Sequence, residues 1–505
     1  MMHFSTRAGF QCCLTLAAAT LLGGCAVGPD YHEPAAPKVS GYTSEALPAQ
    51  TASADVAGGE TQNFIQGADI PSQWWTLFHS QPLNDLIEQS LKDSPNLQVA
   101  QATLRVAQEG VRAQAGSYLP SVQANFSPSR AQNAGQPAPT LANNVLLFNL
   151  YTTQLNAIWT LDLFGLNRRT MESLQAQEDA QRFQLEAAYL TLTSSIVTTA
   201  VQEASLREQI AATQEVIKIN NEQLDVMRKQ FDLGQIAQAD VKAQEAALAQ
   251  AQANLPPLQK QLAQQRDLLT ALAGRFPSDN SVPVFDFAGL QLPQDIPISL
   301  PSKLVEQRPD VRSAEANLHA ASALVGVAVA NRLPNITLSA NGGSVATMMS
   351  QLFTPGNQFW SLGASITQPI FEGGTLLHKQ RGAEAAFDAA GAQYRSTVIT
   401  AFQNVADALT ALQSDADAVK ANLTAEQSAS ESLVIVRRQV ELGAVSYLSI
   451  LNAEQTYQQA RINLIQAQAN RLTDTAVLFQ ALGGGWWNRT DAAMPPTATT
   501  TSNEY

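Results

Sequence analysis

Apolar residues recur along this chain with two periods, one of two residues and one of three to four. The two-residue period surrounds Phe126, Trp159, Leu338 and Leu362, where polar side chains occupy the alternate positions. Successive side chains of a strand point to opposite faces, so each segment predicts a strand with one apolar and one polar face. The chain therefore has four predicted strands, which pair as two hairpins.

Each predicted hairpin is followed by a helical segment of unusual length. Residues 165–233 and 373–442 contain no proline and are rich in Ala, Gln, Glu and Leu, which favour helix. At about 1.5 Å per residue, a helix of this length extends for about 100 Å. Apolar residues keep a seven-residue spacing, typical of a coiled coil, at Ile210, Ile217, Leu224 and Phe231.

Gly234 and Gly443 mark the predicted ends of the two long helices. Glycine is the usual residue just beyond a helix, because the chain turns there through a left-handed conformation. A shorter helix is predicted to return after each glycine, over 238–273 and 447–482. Both glycines therefore lie at the tips of helix turns.

The whole pattern of predicted helices and strands occurs twice in the sequence. The sequence MRKQFDLG, which ends at Gly234, matches VRRQVELG, which ends at Gly443, 209 positions later. Prolines with equal spacing bound the helix before each hairpin, namely Pro95 and Pro120, then Pro309 and Pro334. One unit of helix, β-hairpin, long helix and return helix has thus been duplicated in tandem.

The first 24 residues have the pattern of a signal peptide. Arg7 is the charged residue there, and small and apolar residues follow it up to Gly24. The run ends in LLGGC, which resembles a lipobox and predicts that the Cys25 thiol carries lipid. Cys12 and Cys13 leave with the signal peptide, so the mature chain has no thiol pair for a disulfide. A plain signal peptide with an incidental cysteine is the alternative.

Beyond the signal peptide, no segment has the roughly 18 consecutive apolar residues that a membrane-spanning helix needs. The four strands cannot close a barrel by themselves, because membrane-spanning barrels start at eight strands and an open edge is not tolerated in lipid. A membrane function would require an oligomer, with eight strands in a dimer or twelve in a trimer. The alternative is a soluble helical rod with short hairpins at one end.

Charge and side-chain chemistry exclude several other classes of protein. With 30 Lys and Arg against 43 Asp and Glu, the chain has a net charge of −13 and no electrostatic reason to bind nucleic acid. The histidines are scattered, and neither a metal-ligand spacing nor a nucleophile motif is present. We therefore expect neither an enzyme nor a cofactor, apart from the covalent lipid on Cys25.

Several short motifs carry a family resemblance that covers nearly the whole mature chain. They are CAVGPDY from Cys25, WWTLF from Trp74, PLNDL from Pro82 and ALGGGW ending at Trp486, together with the duplicated unit. In this order they resemble the TolC-type outer-membrane efflux protein family, and more narrowly the NodT/OprM-like outer-membrane factor lipoproteins of RND efflux systems. The resemblance implies a mainly α fold with a membrane β-barrel, in which a trimer forms a long α-helical barrel and a twelve-stranded β-barrel.

The resemblance also implies a function and a location. The chain would be lipid-anchored in the cell outer membrane, extend into the periplasm, and serve as the exit channel of a tripartite RND-type efflux system. It would pass drugs or other small toxic compounds by passive conduction, and the homotrimer would work with a periplasmic membrane-fusion adaptor and an inner-membrane RND transporter. A type I secretion-type export duct and, as a weaker match, a trimeric coiled-coil surface protein are the alternatives.

The resemblance locates a periplasmic gate. In the family, a Leu and an Asp one helical turn apart on the second return helix line the constriction. The matching residues here are Leu448 and Asn452, so an Asn stands where the family has an acid. Asp240 of the first return helix is predicted to supply the acidic group instead. The turns at Gly234 and Gly443 are predicted to contact the adaptor.

These observations divide the chain into five predicted segments. They are a signal peptide (1–24), a lipidated N-terminal segment (25–81), a first repeat (82–290), a second repeat (301–485) and a disordered tail (486–505). The tail is predicted to be disordered because it has few apolar residues to bury.

Overall fold

The computed structural model describes residues 26–39, 41–132, 147–279 and 281–489. The predicted signal peptide, Cys25 and residues 490–505 of the predicted tail lie outside the described residues. The chain divides into two compact units. The strand unit comprises the described residues within 1–34, 103–182 and 313–395, and the helical unit comprises those within 35–102, 183–312 and 396–505.

Helices and strands follow one another in the order that the duplicated pattern predicts. The helices are α1 (Gln81–Asp93), α2 (Pro95–Ala115), α3 (Leu166–Asp232), α4 (Gln238–Leu272), α5 (Pro301–Gln307), α6 (Pro309–Ala330), α7 (Thr375–Glu441) and α8 (Tyr447–Ala481). The strands are β1 (Asn63–Gln66), β2 (Ser121–Gln132), β3 (Leu147–Leu161), β4 (Asp295–Ile298), β5 (Asn335–Ala346) and β6 (Gln358–Thr367). Among the described helices, none combines the length and the apolar content that crossing a lipid bilayer requires.

The two long helices, α3 and α7, each have 67 residues and end in the same way. Gly234 and Gly443 both have a φ of 71°. In each copy the glycine N–H donates to the carbonyl three residues earlier, and the next N–H donates to the carbonyl five residues earlier. The predicted glycine ends are confirmed, and these bonds satisfy carbonyls that the helix itself leaves free.

The four predicted strands form one antiparallel sheet in the strand unit, in the order β2-β3-β5-β6. Its register pairs Val122 with Ala157, Trp159 with Leu338, and Leu338 with Ala364. The alternating apolar residues of all four strands thereby share one face, here called the apolar face. It contains Val122, Ala124, Phe126, Leu155, Ala157, Trp159, Ile336, Leu338, Ala340, Trp360, Leu362, Ala364 and Ile366. The two predicted hairpins are confirmed.

A second, two-stranded sheet lies in the helical unit, so the expectation of four strands was too low. β1 and β4 pair in parallel, with Asn63 opposite Asp295, 232 positions later. Each strand has four residues, NFIQ and DIPI, and neither shows a clear alternation of apolar and polar side chains. Because the pairing depends on two distant segments meeting, no local pattern predicts it.

An aromatic core holds the N-terminal segment in the helical unit. Trp74 and Phe78 are fully buried, and the Trp74 ring stacks on Phe479 with ring centroids 5.3 Å apart. Burial of a large apolar side chain stabilises a fold by about 1.5–3 kcal/mol. The WWTLF motif therefore fastens this segment to α8.

Residues 486–489 belong to the helical unit, so the predicted start of the tail at 486 is wrong. Trp486 lies in a 3-10 turn, and its Nε1 donates to Gln307 O at 2.6 Å. The Arg489 guanidinium pairs with Glu186 at 2.8 Å. Trp486 and Trp487 have large apolar rings that this unit can bury. The prediction from the composition of the whole tail did not take these two residues into account.

Candidate functional site

The predicted adaptor-contact tips lie just after α3 and α7. Among the described residues, the space around Gly234 and Gly443 is open, so their positive φ is what requires glycine there. Leu233 and Leu442, directly before them, are both exposed. Each tip therefore presents an apolar side chain, and contact with an adaptor stays a prediction.

Leu448 and Asn452 share one exposed face of α8. Leu448 lies in the first turn and is 58% exposed, and Asn452 is one turn further on and also exposed. Ile450, between them, is buried, so another side of the helix packs against the unit. The structure brings the two predicted gate residues together; that they line a constriction stays a prediction.

Asp240 has a local structural role. It lies in the first turn of α4, and its Oδ2 accepts a hydrogen bond from the Ala237 N–H at 3.3 Å. A carboxylate in the first turn also interacts favourably with the helix dipole. Helix capping accounts for an acid at this position, and its contribution to the gate stays a prediction.

A polar network beside Leu448 joins the two copies of the duplicated unit, and the sequence did not predict it. Tyr447 donates its hydroxyl to Gln223 Oε1 at 3.0 Å, and the hydroxyl lies 3.4 Å from Gln244 Oε1. Gln244 is fully buried and donates to Asn220 O at 2.9 Å. The available signal was weak, because glutamine is frequent on every face of these helices.

Glu454 extends this network to α7. Its Oε1 accepts hydrogen bonds from Gln223 Nε2 and from the Arg437 guanidinium, the latter at 3.0 Å. Burial, and then the negative charge of Glu454, raises the pKa of the Tyr447 phenol. The phenol therefore keeps its proton and acts as a donor, so side-chain hydrogen bonds link α3, α4, α7 and α8.

The Tyr447 ring packs on an apolar cluster between α3 and α4. The cluster is centred on Leu224 and Val241, with Ile217 beside it. Ile217 and Leu224 are two of the residues whose seven-residue spacing predicted a coiled coil. The spacing therefore marks the seam between a long helix and its own return helix.

The GPDY motif holds the N-terminal segment on the strand unit. Asp30 accepts from the Arg169 guanidinium at 2.7 Å, and the Tyr31 ring stacks on His319 with ring centroids 4.2 Å apart. Gly28 passes so close to another glycine that an added Cβ would lie 2.4 Å from that residue's Cα. The motif thus ties the segment after the predicted lipidation site to α3 and α6.

Arg471 and two carboxyl groups form a charged cluster in the helical unit. Arg471 is fully buried and donates to Thr51 Oγ1 at 2.8 Å and to Glu60 O at 2.6 Å. Burial, then the hydrogen bond and charge of Asp474, raises the pKa of Asp415 to about 7, while Arg471 opposes the shift. Within the described ranges, no group of three or more His, Cys, Asp or Glu side chains converges in a way that could hold a metal ion.

Long paired helices, two β-hairpins that share one apolar face, and an internal duplication define the class of outer-membrane channel subunits. The model of the outer membrane efflux protein family matches residues 86–275 and 300–484, which cover both copies of the unit. The chain belongs to the outer membrane efflux protein family. The resemblance inferred from the sequence motifs is confirmed.

Named relatives agree with this family over most of the chain. The chain is 30% identical over 480 residues to the probable efflux pump outer membrane protein TtgC of Pseudomonas putida, with 94% of this chain and 96% of the relative covered. It is 28% identical over 474 residues to nodulation protein T of Rhizobium leguminosarum bv. trifolii, with 92% and 96% covered. The solved outer-membrane channel OprN matches with a TM-score of 0.80 at 28% identity, covering 92% of this chain and 100% of that chain.

The chain is therefore an outer-membrane efflux channel that extends into the periplasm, as the sequence predicted. Its relatives are channel proteins and not enzymes. The secretion-duct and coiled-coil alternatives are not favoured by these matches.

Proposed function

We propose that three copies of this chain form the exit duct of a tripartite efflux system that passes drugs or other small toxic compounds out of the cell. An inner-membrane RND transporter and a periplasmic adaptor are its partners in this proposal. TtgC is named as an efflux pump component and OprN as an outer-membrane channel, which supports the assignment. The duct performs no chemistry, and the transporter supplies the energy.

The apolar face of the sheet is the observation that carries the proposal. Trp360 and Leu362 on β6 are 77% and 75% exposed, and a large apolar patch of this kind marks an interaction surface. The other face is mostly polar, as a water-filled lumen requires. β2 and β6 are edges of the described sheet, which supports the proposal that further copies complete it, and a trimer would supply twelve strands.

Within this duct we assign the gate to Leu448, whose three copies would close the pore by packing. Asn452 would add a polar but uncharged ring one turn away, and Asp240 would contribute the acidic group that Asn452 lacks. The exposed shared face of Leu448 and Asn452 supports this assignment. Leu233 and Leu442, exposed at the Gly234 and Gly443 tips, would meet the adaptor.

A lipid on Cys25 would anchor the chain to the membrane. The lipobox-like sequence LLGGC and the firm hold on residues 28–31 support this, because a fixed segment directly follows the lipidated residue. The mass of the N-terminal peptide checks it, with added acyl chains expected in the wild type and none in Cys25→Ser. An unmodified Cys25 would remove the anchor from the proposal.

A deletion strain tests the function. Loss of the gene is expected to make the host hypersensitive to the compounds that its pump exports, and a plasmid-borne wild-type copy is expected to restore resistance. Growth inhibition is measured across antibiotics, organic solvents, aromatic acids and metal ions, with the empty plasmid as control. Unchanged susceptibility to every compound would contradict the efflux function.

A further inference from the structure

The two copies each contain a corner where the sheet runs into a long helix. The first corner is 162–165, between β3 and α3, and the second corner is 368–374, between β6 and α7. Both corners lie in the strand unit, at the same end of the sheet. Since the two copies derive from one unit, a difference between the corners points to a difference in what covers them.

The first corner is covered by the chain itself. The Val27 N–H donates to Phe164 O at 3.1 Å, and Arg169 Nε donates to Val27 O at 3.1 Å. Ala26 lies so close that a Cβ on Gly165 would be 2.7 Å from the Ala26 Cα. The N-terminal segment therefore occupies this corner.

The second corner is bare. Ile370 and Phe371 are each 88% exposed, the highest values among the large apolar side chains of the described residues. Leu377, in the first turn of α7, is also exposed. The N-terminal segment covers the first corner and leaves the second corner exposed. A different partner is therefore needed to cover the second corner.

The bare corner continues the apolar face. On β6 the residues Trp360, Leu362 and Ile366 belong to that face, and Ile370 keeps the same even spacing beyond the end of the strand. Pro369, just before it, has no N–H to continue the ladder. Apart from the polar Gln368, the apolar residues at even positions of β6 therefore continue to Ile370, beyond the end of the strand.

The charge around this corner is the opposite of the charge of the whole chain. Between positions 331 and 384 the sequence has three basic residues, Arg332, Lys379 and Arg381, against two acids, Glu372 and Glu384. All three basic residues are exposed, and the Arg332 carbonyl accepts from Gln368 Nε2 at 3.0 Å, beside the corner. Basic side chains next to exposed Phe and Leu are typical of segments that lie in a membrane interface.

We infer that the second corner is a membrane foot, in which Ile370 and Phe371 enter the interface of the outer membrane and Arg332, Lys379 and Arg381 bind phospholipid phosphate groups. This inference rests on the outer-membrane function proposed above. Lipid would thus cover the second corner, while the N-terminal segment covers the first corner.

A thiol probe at the corner tests the inference. Phe371→Cys is labelled with a fluorophore in the full chain, which is reconstituted in phosphatidylethanolamine and phosphatidylglycerol vesicles containing a nitroxide lipid. Leu362→Cys on the apolar face is the lipid control and Leu442→Cys at a helix tip is the aqueous control. The wild-type chain gives the background, since its other thiols are Cys12, Cys13 and Cys25.

The expected result is that the nitroxide lipid quenches Phe371→Cys as strongly as Leu362→Cys and leaves Leu442→Cys bright. Quenching of Phe371→Cys by aqueous iodide alone, or its cross-linking to a neighbouring subunit, would overturn the membrane foot. Loss of quenching at Leu362→Cys as well would overturn the proposed membrane function instead, so the two failures are distinguishable.

A charge reversal tests the phosphate contacts. Lys379→Glu with Arg381→Glu is expected to abolish the increase in Phe371→Cys quenching that added phosphatidylglycerol produces. Lys229→Glu with Lys420→Glu, on exposed positions of α3 and α7, is the matched control and is expected to keep that increase. If the two double variants show the same change in Phe371→Cys quenching on addition of phosphatidylglycerol, the phosphate contacts are refuted.

Discussion

Asp415 in α7 and Asp474 in α8 form a carboxyl pair at a helix contact. Burial and the neighbouring carboxylate raise the pKa of Asp415 from its ordinary value of 3.8 to about 7, and Arg471 only partly opposes this. Arg471 is occupied by hydrogen bonds to the segment around Glu60. Asp415 therefore holds a proton in the folded protein at pH values where the unfolded chain has lost it.

The free energy of unfolding is expected to fall as pH rises from about 4 to about 7, because the folded state binds one more proton than the unfolded state in that window. Asp415→Asn removes this titration, so the wild type should lose stability relative to the variant between about pH 4 and about pH 7. Thermal unfolding followed by circular dichroism measures the difference. Asp417→Asn, at an exposed position, is the control, and a pH-independent difference for Asp415→Asn would contradict the assignment.

Leu448→Ala is expected to make the closed channel leakier, because a shorter side chain fills less of the proposed gate. Since Leu448 is exposed, the change creates no buried cavity and the fold should remain stable. Single-channel conductance in planar bilayers and susceptibility to a large antibiotic measure the leak. Val434→Ala, at a similarly exposed position of α7, should behave as the wild type. Equal conductance of Leu448→Ala and wild type would count against the gate assignment.

At the scale of elements, the two return helices are joined by side-chain hydrogen bonds as well as by apolar packing. Tyr447 begins α8 and bonds Gln223 of α3, while its ring packs on the seam between α3 and α4. Glu454 of α8 reaches Arg437 of α7. The first turn of α8, which carries Leu448, is therefore held by α3 and α4, and Glu454, two turns further on, is held by α7.

Tyr447→Phe removes the hydroxyl but keeps the ring in its apolar cluster. The loss of one partly buried hydrogen bond is expected to lower the free energy of unfolding by about 0.5–1.5 kcal/mol. The first turn of α8 is then less firmly held, so basal conductance should rise. Tyr457→Phe on the same helix is the control, and an unchanged melting temperature and conductance for Tyr447→Phe would show that the network does not hold the gate.

At the scale of the whole molecule, the excess of acidic over basic residues is expected to influence which ions the duct passes. Each chain has a net charge of −13, and three chains would concentrate that charge around one pore. The apolar face is uncharged, so the acids lie elsewhere on the chain. A pore lined with negative charge attracts cations and repels anions.

The open pore is therefore expected to select cations. The reversal potential in a potassium chloride gradient across a planar bilayer measures this, and its size should shrink at high ionic strength, where charges are screened beyond about 3 Å at 1 M. Asp415→Asn, compared with the wild type at about pH 5, serves as a control, because the Asp415 carboxyl keeps its proton there and adds no charge to the pore. A reversal potential of the anion-selective sign would contradict the expectation.

Much of the fold follows from local patterns. The alternation around Trp159 and Leu362 predicts strands, the proline-free runs predict the long helices, and Gly234 and Gly443 predict where those helices end, because each signal acts within a few residues. The candidate gate followed from the resemblance and not from a pattern. The Tyr447 network was missed, because its partners lie on separate helices more than 200 positions away.

The sequence by itself determined the type of each main element, their duplication and the family, since periodicity and turn residues are local properties of the chain. The tertiary structure decided which residues meet. It set the register that gathers one apolar face, paired Asn63 with Asp295, and covered Phe164 while leaving Phe371 bare. These contacts join segments far apart in sequence, and only the folded chain brings them within reach of one another.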